Sequence, residues 1–163
     1  MVEPDVDEIG EGQPQEVVLE NARRKARAGL AAADLEATAL GADTEVVLEG
    51  RVLGKAGNEE VARASLEALS GRTHEVLTGV ALLGPGSEGA ERSGIASSRV
   101  TFRELDPAIL GRYLASGEWR DRAGAYAIQG LGSILINRLE GDFSNVVGLP
   151  VPLLLDLAPE LFD

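Results

Sequence analysis

The sequence predicts a single α/β domain, a mixed twisted sheet with helices on its flanks. Three observations carry that expectation. Stretches with helical spacing are interleaved with apolar runs of strand length, and the strand-like runs are joined by local turns, which favours hairpins over a purely parallel sheet. No internal repeat or long linker divides the 163 residues, 44% of which are apolar. A chain of that length buries most of its unfolded surface without a disulfide or structural metal to staple it.

Residues 16–32 read as the first helix, with Pro14 suited to its first turn. Around Val18, helical spacing puts Ala22, Lys25, Ala26 and Gly29 on one side and Arg23, Arg24 and Arg27 away from it. Residues 38–48 (TALGADTEVVL) read as a buried strand, and Glu49-Gly50-Arg51 turns the chain into Val52-Leu53. Asn58 suits the cap of a helix over 59–69, with Val61, Ala62, Ser65, Leu66 and Leu69 as its inner face and Gly71 at its end. Strands follow over 74–83 and 93–102, joined by a GPGSEG hairpin loop; without GK[ST] or a following helix, its glycines do not make a phosphate loop. Asp106-Pro107 opens a helix ending near Ser116-Gly117. Residues 131–139 read as a strand, 143–147 as its partner after a Gly141-Asp142 turn, and Pro152 as the start of a closing helix through Leu161.

The totals exclude several classes of function. There is no cysteine and only one histidine, so thiolate sites and a zinc site lack ligands. A net charge of −12 is the wrong sign for binding double-stranded nucleic acid. A small anionic ligand remains admissible, because local cations and a metal ion govern its binding. The acidic opening residues MVEPDVDEIGEGQPQE form no signal peptide. The longest apolar run, Leu149 to Leu157, holds two prolines and an aspartate and is far short of a membrane span. The expectation is a cytoplasmic protein.

A few residues stand out chemically. Asp43, in GADT, lies within an apolar run where a carboxylate needs a partner, although it can also satisfy backbone amides at a strand end. Lys25 faces inward on its helix, either toward a ligand or snorkelling along the surface to water. Lys55, in LGKAG, has glycines that let a ligand approach the backbone, or is an ordinary turn lysine. Gln129, in AYAIQG, reads a base edge or closes a turn. Together with Glu8 these supply the types needed to hydrolyse a nucleoside triphosphate, a carboxylate for metal or water and cations for phosphate. No spacing among them certifies that use.

Taken in order, the segments resemble the Maf family. The match runs through DVDE (5–8), ENARRKA (20–26), LGADTEVVL (40–48), LGK (53–55), LSGRTHEVLTGVAL (69–82) and VTF (100–102). RAGAYAIQG (122–130) and GDFSNVVGLP (141–150) are its most specific parts. The resemblance implies two lobes around a deep cleft, similar to the inosine-triphosphate pyrophosphatases, and commonly a homodimer. It implies cleavage of a nucleoside triphosphate between the α and β phosphates with a divalent cation, magnesium or manganese. By motif position, Asp43 corresponds to the proton acceptor, Lys25 and Lys55 to phosphate-contacting lysines, Glu8 to an acidic residue near the metal, which Asp43 also helps to hold, and Gln129 to a glutamine near the base. Thr44 and Gln129 look like the branch acting on dTTP and UTP, since the branch that hydrolyses 7-methyl-GTP differs there. His74 and Trp119 are then structural. An alternative is a catalytically impaired nucleotide-binding protein with a regulatory role in cell division; the presence of Asp43 and Glu8 favours hydrolysis, and the lack of the family's arginine loop favours binding.

The family opens with a strand and a loop of the type ASxSPRR, whose serine and arginines bind phosphate, and this chain begins just after that segment. The expectation is a single domain over 1–163, shortened at its N-terminus relative to the family, with a sheet edge or groove left exposed. Either the protein starts upstream of Met1, which the smooth run of Val2 and Pro4 into the family pattern favours, or the chain is truly short and handicapped. Ala56 also stands where the family usually carries proline after the lysine.

Overall fold

The computed structural model describes residues 6–32, 37–84 and 91–161. Its elements in chain order are α1 (Pro14–Ala31), β1 (Ala39–Leu48), β2 (Arg51–Leu53), α2 (Glu59–Leu69), β3 (Thr73–Leu83), β4 (Arg92–Phe102), α3 (Pro107–Ser116), a 3-10 segment (Gly130–Leu135), β5 (Ile136–Glu140), α4 (Phe143–Val147), α5 (Val151–Leu157) and a second 3-10 turn (Pro159–Leu161). Among the described residues the strands form one sheet in the order β2-β1-β3-β4-β5, and every pairing is antiparallel. The expected α/β architecture is present. The GPGSEG loop lies, from Pro85 onward, outside the described residues.

Strand alternation gives the sheet two faces. On one, Gly41, Asp43 and Glu45 of β1 lie beside Ala81, Gly79 and Leu77 of β3 and face α1. Helix α1 buries Val18, Ala22 and Ala26 there, as its spacing implied, together with Asn21, and it lies close to the sheet. A Cβ on Gly41 would overlap the backbone of Ala22, and one on Gly79 the backbone of Val18. These two glycines set the distance between α1 and the sheet, and hence how far side chains from α1 reach into it. The opposite face carries the largest apolar cluster, in which Val46, Val76 and Val100 meet α2 and α3 through Leu66, Leu69, Leu110 and Tyr113. Val80 and Leu82 pack under α5 through Leu154.

Several local expectations hold for the reasons given. Asn58 accepts the Val61 amide and caps α2; Asp106 accepts the amides of Ala108 and Ile109; Gly71 and Gly117 end their helices at positive φ. Other expectations are corrected. Val61 is exposed, since Ala62, Leu66 and Leu69 already form the buried stripe of α2. The strand read over 131–139 starts only at Ile136. Before it, the Glu118 carboxylate accepts the amides of Leu131 and Gly132 and holds that stretch as a 3-10 turn, where a Cβ on Gly132 would strike the Ala127 carbonyl. The partner strand read over 143–147 is the short helix α4, because Asp142 caps the Ser144 amide and Gly148 ends the turn at positive φ. The closing helix breaks at Ala158 before the final 3-10 turn.

Strand β2 covers only Val46–Leu48 of β1. Among the described residues, the edge from Ala39 to Glu45 therefore has no paired strand, and the cleft opens along it.

Candidate active site

A cleft of about 650 Å³ lies between this open edge of β1 and the segment from Gly117 to Gly130. Lys25 stands at one end and Val146, Val147 and Gly148 close another side. The far wall is held to the sheet by its backbone. Gly124 donates to the Leu53 carbonyl (2.7 Å), and Lys55 pairs with Ala123 across an isolated antiparallel bridge. Gly124 and Ala125, both at positive φ, turn the chain so that Tyr126 to Gln129 run back along the cleft.

Three of the residues singled out in the sequence meet directly. Lys25 Nζ lies 2.5 Å from Asp43 Oδ1 and 2.7 Å from Glu8 Oε1, so one ammonium bridges two carboxylates. Asp43 is buried and Glu8 is exposed. Burial opposes the charge on Lys25, but its bonds to Asp43 and Glu8 outweigh that cost and raise its pKa. The hydrogen bond from Lys25 holds Glu8 below the ordinary carboxylate range. Thr44, Lys55 and Gln129 line the same cleft without joining this cluster. Alternation turns Thr44 to the opposite face from Asp43, and Gln129 sits at the start of the 3-10 segment.

Two participants escaped the sequence reading. Asn21 is buried on α1 one turn before Lys25; its Nδ2 donates to Asp43 Oδ2 (3.2 Å) while its amide also exchanges hydrogen bonds with the backbone of Ile9. It ties the segment bearing Glu8 to Asp43. The signal was a polar residue at i−4 from Lys25, on the same helix face. Glu45 follows Asp43 by two positions and so shares its face. Burial, and then the charges of Asp43 and Glu8, push its pKa up to about 7, and its Oε2 is buried with no hydrogen-bond partner. An acid inside TEVVL was the available signal. Arg120 and Arg122 also line the cleft, Arg120 stacked 4.7 Å over the ring of Trp119.

His74 is buried behind the cleft, its Nε2 2.8 Å from the hydroxyl of Tyr126 and its ring edge-on to Phe102; burial lowers its pKa to about 4. Trp119 donates its indole N–H to the Leu114 carbonyl.

Glu8 and Asp43, both bonded to Lys25, are the carboxylates that could hold a divalent cation whose shell phosphate oxygens and water complete. Among the described residues no group of three or more His, Cys, Asp or Glu side chains gathers into an all-protein cage. No helix among them is long and apolar enough to cross a membrane.

Known proteins are similar to this chain over most of its length. The chain is 43% identical over 157 residues to a dTTP/UTP pyrophosphatase of Thermococcus kodakarensis, covering 96% of this chain and 82% of that protein. It is 43% identical to a protein of the same name from Pyrococcus furiosus, over 93% of this chain and 77% of the relative. With the one from Moorella thermoacetica it shares 52% identity over 127 residues, 78% of this chain and 64% of the relative. The family model described as Maf-like protein matches residues 1–161, and the chain belongs to the Maf family.

Proposed function

We propose that this chain hydrolyses dTTP and UTP to the nucleoside monophosphate and pyrophosphate, the activity named for its relatives. The observation that carries the proposal is the Lys25 ammonium held between Glu8 and Asp43 at the wall of an open cleft. Asp43, anchored by Lys25 and Asn21, keeps lone pairs free to accept a proton from water. That water attacks phosphorus, the α–β anhydride bond breaks, and pyrophosphate leaves with the electron pair. Lys25 and Lys55 take up charge on the phosphates, so positioning and electrostatics supply most of the rate. A divalent cation held by Glu8 and Asp43 would neutralise phosphate charge. Thr44 and Gln129 face the nucleoside.

The same reading brings a cytoplasmic setting and a homodimer. The net charge of −12 argues against double-stranded nucleic acid as a partner.

The test is pyrophosphate release from dTTP, UTP, CTP and GTP with magnesium or manganese, for the wild type and Asp43→Asn. The expected result is release from dTTP and UTP, abolished by EDTA and reduced roughly 100-fold or more by the substitution, as loss of a general base implies. Nucleotide binding without release in the wild type would overturn hydrolysis and leave a binding protein.

A further inference from the structure

The side of the cleft reached by Thr44 differs in chemistry from the side reached by Asp43. Val46, Val76, Tyr126, Val146 and Val147 line it, which suits a planar base better than a phosphate. The one hydroxyl that β1 presents there is Thr44, and a chain of buried hydrogen bonds determines which way it points.

The chain starts at Asn145 of α4, which is fully buried. Its side-chain nitrogen donates to the Val76 carbonyl (3.0 Å) and to Ser98 Oγ (2.9 Å), so both the amide and the helix that carries it are clamped to the sheet. The Asn145 backbone carbonyl then lies 3.1 Å from Thr78 Oγ1. A carbonyl only accepts, so Thr78 spends its single proton there. Thr78 Oγ1 is in turn 2.9 Å from Thr44 Oγ1, its cross-strand neighbour. With its own proton committed, Thr78 accepts from Thr44. The reverse order would face two acceptor oxygens at 3.1 Å in a site closed to water, at the cost of an unsatisfied buried acceptor contact.

We infer that Asn145 and Thr78 are positioning residues that lock the Thr44 hydroxyl as a hydrogen-bond acceptor toward the cleft, and that this selects bases carrying an N3–H. Thymine and uracil present a donor at N3, whereas cytosine presents an acceptor. Thr44 Oγ1 meets the first pair with a hydrogen bond and the third with two opposed lone pairs. A site built to receive a specific proton rejects the analogue that lacks it because its own group is left unmatched. The inference rests on the proposed dTTP and UTP activity and adds the residues that would produce the preference.

The test is Thr78→Val in the full chain, which keeps the shape and removes the acceptor, with Thr78→Ser as the conservative variant. The readout is the ratio of kcat/KM for dTTP to that for CTP. The ratio is expected to fall about tenfold in Thr78→Val, the effect of one misdirected hydrogen bond, and to be retained in Thr78→Ser. A Thr78→Val enzyme that loses dTTP and CTP activity by the same factor shows a merely structural role and overturns the inference, as does an unchanged ratio. A wild type that releases pyrophosphate from no nucleotide defeats the proposed function instead. Calorimetric binding of dTMP and dCMP then reads the relay: a preference for dTMP that Thr78→Val abolishes supports it, and equal binding by the wild type overturns it.

Discussion

Glu45 is the charge in this site with the poorest surroundings, and replacing it with glutamine should stabilise the protein in a pH-dependent way. Folding moves its carboxyl from an ordinary 4.5 to about 7, chiefly by burial and then by the charges of Asp43 and Glu8. A folded pKa above the unfolded one means that the folded state holds the proton more tightly. Stability is therefore undiminished below 4.5, falls as pH rises toward 7, and carries the whole deficit above it. At 1.36 kcal/mol per pH unit the deficit would be roughly 3 kcal/mol. Glu45 is only partly withdrawn from solvent, and screening reduces this to about 1–2 kcal/mol. Glu45→Gln removes the charge at constant size, so its advantage over the wild type should be small near pH 5 and reach about 1–2 kcal/mol near pH 8. For a domain of this size that is a rise in Tm of roughly 3–6 °C. Thermal melts of both proteins at the two pH values, in EDTA so that no divalent cation adds its own charge, measure it directly. An advantage that is equal at both pH values, or larger at the acidic one, would refute the electrostatic account and leave only a packing difference.

Two further outcomes follow from the same structure. Gly79→Ala should lower stability by about 2–3 kcal/mol, read from urea midpoints, because the new methyl meets the Val18 backbone and must push α1 off the sheet. His74, whose pKa burial lowers from 6.5 to about 4, is neutral in the fold; its contribution is complete above 6.5 and is lost as pH falls toward 4, on the order of 3 kcal/mol. His74→Phe should flatten that acid limb in denaturation curves between those pH values, and a limb as steep as the wild type's would assign acid sensitivity elsewhere.

Much of this protein is written in local patterns. The helix caps at Asn58 and Asp106, the turn at Glu49-Gly50, the inward placement of Lys25 and the strand carrying Asp43 all depend on neighbours a few residues away, and each was legible from spacing and residue type. The pairing of Lys25 with both Glu8 and Asp43 had no such signature, since those residues are far apart in sequence and meet only because Gly41 and Gly79 admit α1 to the sheet. The misread segments have the same origin. Residues 131–135 have strand composition, but the Glu118 carboxylate, reaching from a preceding loop, captures their amides and winds them into a turn. Residues 143–147 follow a Gly141-Asp142 turn that suggests a hairpin partner, but their helix depends on Asp142 at one end and burial of Asn145 against β3 and β4 along its side. Glu45 escaped the sequence reading although an acid in an apolar strand was there to be seen, and its raised pKa reflects first the water excluded around it and then the charges of Asp43 and Glu8. The order of residues by itself determined most of the element types, the two misread segments excepted, and the chemical groups available to the site. Which groups touch, which proton each hydroxyl can offer and which charge is costly were decided by tertiary packing, because those properties depend on distance and dielectric between residues that the chain does not make neighbours.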